Sequence, residues 1–74
     1  MNNARYAITK NVDLAWHIMS WARSEAKGRG LFKEYLLRIA PDPSGCVALR
    51  LVKEVFVEGD WVKVEVLDYK EFKN

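Results

Sequence analysis

The sequence predicts an α+β fold: one helix packed on a three-stranded antiparallel β-meander, with a short strand in front. Three observations lead there. Two runs dense in Val, Leu and aromatic residues, Val47 to Val57 and Trp61 to Tyr69, flank the triplet Glu58-Gly59-Asp60 in the pattern of a β-hairpin. Asn11 and Asp13 on one side and Gly28 on the other bound a stretch with helical apolar spacing. Pro41-Asp42-Pro43-Ser44-Gly45 carries the residues of a tight turn, which commonly joins antiparallel strands.

In chain order, Ala4 to Thr9 is a candidate strand with Tyr6 and Ile8 on one side. Asn11 then serves as N-cap, Asp13 meets the positive end of the helix dipole, and Gly28 after Lys27 marks the stop, so a helix is expected over Val12 to Lys27. At about 100° per residue its apolar stripe is Leu14, Ala15, Ile18, Met19, Trp21, Ala22 and Ala26. Trp16, Ser20, Arg23 and Lys27 share the opposite side, so Trp16 is the one large apolar residue facing away from the core. Gly28-Arg29-Gly30 breaks the helix. Leu31 to Ala40 fits two patterns: Phe32, Tyr35, Leu36 and Ile39 make a helical stripe, while Tyr35, Leu37 and Ile39 make a strand face. The turn signature after it favours a strand over Lys33 to Ala40, hairpinned onto Cys46 to Val57 as the central strand.

The last hairpin admits two registers. A Gly59-Asp60 turn sets Glu54 opposite Glu65 and Leu51 opposite Asp68, whereas a three-residue loop sets Arg50 opposite Asp68, Lys53 opposite Glu65 and Leu51 opposite Leu67. Opposite charges across strands stabilise and like charges do not, which favours the second. Phe56, Val62, Val64 and Val66 then lie on one side, and Leu49, Leu51, Leu67 and Tyr69 on the other. A sheet that is apolar on both sides needs two covers, and one helix supplies one. Lys70 to Asn74 is expected to fray.

The chain of 74 residues is short for more than one domain and is read as one, 1–74. Its single cysteine, Cys46, excludes an internal disulfide, and one histidine, His17, leaves no Cys/His set for zinc, so neither metal nor cofactor is expected. A reducing, cytoplasmic setting follows from the cysteine usage. No apolar run reaches a membrane span, and Met1-Asn2-Asn3 lacks the order of a signal peptide. Residues 1–53 carry nine Lys/Arg against four Asp/Glu, and residues 54–74 three against six, so charge divides the chain into a basic front and an acidic end.

Catalytic chemistry finds no foothold. A nucleophile needs a base beside it, and Cys46 and His17 are far apart in sequence, the first expected to be buried and the second half-exposed. The basic residues Arg23, Lys27, Arg29, Lys33 and Arg38 are denser, with only Glu25 and Glu34 among them. Beside Gly28 and Gly30 they can meet phosphates, with Trp16 available to stack on a base; they also serve simply as cations completing a helix dipole. Gly59-Asp60-Trp61-Val62-Lys63-Val64 resembles the Gly-Asp-x-Val-x-Val strand start of SH3-like and OB barrels, a six-residue pattern shared by many unrelated β proteins. A helix followed by three strands is similar to the front of a double-stranded-RNA-binding domain, whose second, lysine-bearing helix has no counterpart here. Neither pattern assigns a family. The sequence thus points to a non-enzymatic interaction module for a protein or nucleoprotein machine, such as a small phage or mobile-element accessory or inhibitory protein. The alternative is a nucleic-acid-binding protein using the Arg23 to Arg38 surface. Trp16, Arg23, Lys27, Arg29, Lys33 and Arg38 are the candidate contact residues, membrane binding is not expected, and the uncovered sheet face is a candidate homodimer surface.

Overall fold

A computed structural model describes residues 3–41 and 45–72. The elements run β1 (Ala4–Val12), β2 (Ala15–Ala22), α1 (Glu25–Ile39), β3 (Ala48–Val57) and β4 (Asp60–Glu71). They form one helix on a four-stranded antiparallel sheet of order β2-β1-β3-β4. The α+β class and the helix-on-sheet layering are as the sequence predicts. The placement of the helix is not.

Val12 to Lys27 is not one helix, and only Glu25 to Lys27 of it is helical. Its first part is the β1–β2 turn and the strand β2, because Val12 and Ala15 close a two-residue loop in which Asp13 and Leu14 both take positive φ, 53° and 65°. Positive φ at both loop residues is what a tight hairpin demands, and Leu14 meets that demand almost fully solvent-exposed. The helix starts only after Ser24, whose Oγ accepts the Lys27 N–H at 3.2 Å, with Glu25 in the first turn beside the dipole's positive end.

Lys33 to Ile39 belongs to that helix, with Ala40 as its C-cap, and not to a strand. The helical stripe was the governing pattern: Leu31, Tyr35, Leu36 and Ile39 pack against a core of Tyr6, Ile8, Phe32, Cys46, Leu49, Leu51 and Phe72. Gly28 and Gly30 lie within α1 instead of ending it. At Gly28 the reason is space: a Cβ there would stand 2.8 Å from the Cβ of Tyr6, so the backbone of α1 can approach β1 this closely only without a side chain. The expected turn at 41–45 lies partly outside the described residues.

β1 is longer than Ala4 to Thr9 and occupies the place beside β3 that Lys33 to Ala40 was expected to fill. The β3–β4 hairpin turns on Glu58-Gly59, with φ of 50° and 85°, and pairs Val57 with Asp60. Two register shifts then divide the ladder. Lys53 faces Glu65 as expected, but beyond the second shift Arg50 faces Tyr69 and Leu51 faces Asp68. The shifts also move side chains between faces. Leu49, Leu51 and Leu67 meet the core, whereas Tyr69 joins Arg50 on the opposite face. Lys70 and Glu71 complete β4, and Phe72 is buried with its N–H donating to the Val47 carbonyl at 2.8 Å; the rest of the expected fraying falls outside the described residues. Helix α1 lies on β1, β2 and β3 and not on β4, and the far face of the sheet is open.

Candidate functional site

On the open face, cross-strand pairing sets residues in rows. One row runs Trp16, Asn11, Ala48; the next runs Ile18, Thr9, Arg50, Tyr69; then come Trp21, Ala7, Val52, Val66, and beyond them Arg5, Glu54, Lys63, with Phe56 and Trp61 at the end. All three tryptophans of the chain therefore stand on this face, two on β2 and one on β4. The central strands supply small residues as a floor, and Ala7, Val52 and Ala48 are only 0, 1 and 2 % exposed although no helix lies over them. Large side chains lean across from the edge strands instead.

Arginine holds those aromatics in place. The Arg50 guanidinium sits 3.8 Å from the Trp16 ring centroid, and its Nε donates to Thr9 Oγ1 at 3.2 Å. Burial lowers the Arg50 pKa, against Glu54 and Tyr69, which raise it; an arginine so placed stays charged at neutral pH. Arg5 lies 4.4 Å from the Trp61 centroid and 5.8 Å from that of Trp21, and its Nε donates to Glu54 Oε1 at 2.7 Å. Phe56 meets Trp61 edge-to-face at 5.2 Å. Each guanidinium thus lies over indole while its Nε keeps a polar partner, an arrangement favoured both by the ring quadrupole and by the weak hydration of the guanidinium plane.

A cavity of about 520 Å³ opens at one end of the face, lined by Arg5, Trp21, Arg23, Phe56 and Trp61. A second, of about 550 Å³, lies on the other side of the Trp21–Arg23 ridge, against Lys27, Gly30, Leu31 and Glu34 of α1.

Compared with known proteins, the chain matches no family model, and no curated protein and no solved structure matches it. The site must therefore be read from its own chemistry.

The sequence-derived candidates do not form one site. Trp16 lies on β2 under Arg50, on the open face, whereas Lys27, Arg29, Lys33 and Arg38 are exposed on α1, on the other side of the sheet. A shared surface of Trp16 with Lys27 is thus overturned, because Trp16 lies on β2 and Lys27 in the first turn of α1 instead of on one helix. Arg23 stands at the junction, 6.0 Å from the Trp21 centroid and lining both cavities. Arg29 is tied to Glu25 by a 2.9 Å ion pair one turn away. Sequence reasoning missed Arg5, Arg50, Trp21, Phe56, Trp61 and Tyr69 as a group, since cross-strand neighbours are far apart in the chain. The available signal was Trp16-x-Ile18, whose alternation is that of a strand. His17 points to the helix side and is exposed, and buried Cys46 donates its thiol to the Ala48 carbonyl at 3.4 Å. No helix among the described residues is long and apolar enough to cross a membrane.

Proposed function

We propose that this protein is a non-enzymatic interaction module whose open sheet face binds another protein. The observation that carries the reading is the gathering of Trp16, Trp21, Trp61, Phe56 and Tyr69, with stacked Arg5 and Arg50, on the one face no helix covers. Tryptophan, tyrosine and arginine are the residues that dominate protein interfaces, because each offers a large rigid area with a polar edge. Here their orientations are already fixed by stacking, which reduces the ordering cost on binding. Arg5 is paired with Glu54 and Arg50 packs on Trp16, so two of the face's cations are engaged by the protein itself, and this favours a protein over a phosphate backbone.

The partner, recovered by photo-crosslinking from a benzoylphenylalanine at Tyr69, provides the test. Trp16→Ala is expected to weaken that partner's affinity by about 2 kcal/mol or more while the circular dichroism stays unchanged. Nucleic acid on α1 is the competing reading, supported by the four exposed cations of that helix. Micromolar, steeply salt-dependent binding to mixed single- and double-stranded nucleic acid, weakened by Lys27→Ala and Lys33→Ala but not by Trp16→Ala, would overturn the protein-binding proposal.

A further inference from the structure

Gly30 has no structural reason to be glycine. It sits inside α1, where glycine costs about 1 kcal/mol relative to alanine, and a Cβ built on it meets nothing within 4 Å. Gly28 differs, because Tyr6 fills the space where its side chain would be. What Gly30 does border is the cavity beside α1, and that cavity shares Trp21 and Arg23 with the one on the open face. The two adjoin at Trp21 and Arg23 and together form a groove with Gly30 at its α1 side. Among the described residues its unpaired cations are Arg23 and Lys27 against the carboxylate of Glu34, Arg5 being held by Glu54; Asn3 is polar, and the other side chains are aromatic or aliphatic.

We infer that this groove takes an extended segment of the partner in which carboxylates alternate with aromatic or large aliphatic side chains. The inference rests on the protein-binding reading above and names the chemistry of the bound segment. Arg23 and Lys27 meet the carboxylates. Trp21, Phe56 and Trp61 take the apolar side chains. A basic segment is rejected because it would set like charges against Arg23 and Lys27. Edge-to-edge pairing on β4 is a poorer docking mode, since both register shifts of the β3–β4 ladder fall there and irregular edges resist strand addition.

The test uses the full chain and a capped hexapeptide alternating Glu with Phe or Leu, followed by the protein's own tryptophan emission. The expected result is saturable micromolar binding, with a Lys-for-Glu counterpart weaker by about tenfold or more. Gly30→Leu should cost about tenfold in affinity without lowering the thermal midpoint, because the new side chain enters the groove and not the core. Arg23→Ala should weaken the acidic peptide and strengthen the basic one, narrowing the difference between them. Equal binding of the two peptides, no binding at millimolar concentration, or indifference to Gly30→Leu would overturn the inference. Loss of the crosslinked partner in Trp16→Ala but not in Gly30→Leu would sink the groove and leave the face reading standing. Partner binding indifferent to both variants would sink both.

Discussion

The two faces of this sheet take apolar strands out of water by different means. On the helix side Ile8, Leu49 and Leu51 are aliphatic, fully buried and covered by Phe32 and its neighbours from α1. On the far side, among the described residues, no second layer lies over the sheet, yet alanines and a valine of the central strands are buried beside indole rings that arginines lie against. The first arrangement buries its largest groups and leaves nothing to recognise. The second leaves Trp21, Phe56 and Tyr69 each about half exposed, with Trp16 and Trp61 partly so, and thus retains contact area for a partner. Stability and recognition are thereby separated onto opposite sides of one layer.

The largest expected effect breaks that comparison if it fails. Leu51→Ala, deleting a fully buried side chain between α1 and the sheet, is expected to cost about 3 kcal/mol. Val66→Ala, on the open face and about half exposed, should cost under about 1 kcal/mol. Urea unfolding of the two variants checks this, and equal losses would mean that the open face is as much core as the covered one.

The glycines of α1 give a smaller contrast. Gly28→Ala forces a methyl into the Tyr6 side chain and should destabilise by about 2 kcal/mol. Gly30→Ala fills open space in a helix and should stabilise by roughly 0.5–1 kcal/mol. Thermal melts should therefore move in opposite directions, and a fall at Gly30 would show that the groove is not free.

How much of this was legible depended on local chemistry agreeing with the fold. The β3–β4 hairpin is visible because its strands are dense in β-branched and aromatic residues and its turn contains Gly59. The β1–β2 hairpin is hidden twice over. Its turn uses Leu14, a bulky residue in a region such residues rarely visit, and a register shift between Ile8 and Thr9 leaves Met19 unpaired on β2. That one extra residue turns the period-two alternation of Trp16 and Ile18 into the set Ile18, Met19, Trp21, Ala22, which imitates a helical stripe. Farther on, Gly28 and Gly30 read as a helix stop, although one is a close approach to Tyr6 and the other borders a groove. Trp16 was correctly placed away from the core for an incorrect reason. The arginine stacks were not legible at all, because Arg5 and Trp61 meet only once the register of three strands is set.

Two ion pairs of similar length, one on each side of the molecule, give the smallest and sharpest test. Arg5 Nε and Glu54 Oε1 stand 2.7 Å apart with side chains 18 and 16 % exposed, while Arg29 Nε and Glu25 Oε2 stand 2.9 Å apart at 47 and 50 %. Length alone predicts equal strength. Environment predicts otherwise: the helix pair is screened by water and must hold two mobile side chains, so a double-mutant cycle should give about 0.3–0.5 kcal/mol. Arg5 is already immobilised by its stack on Trp61, so less entropy is lost and the field is less screened, and its coupling to Glu54 should reach about 1 kcal/mol. Raising salt to about 0.5 M should erode the helix pair and leave the sheet pair nearly intact, because screening acts on exposed charges first. Equal couplings with equal salt dependence would mean that the aromatic face does not preorganise its arginines, and would remove the physical basis for its use as a rigid recognition surface.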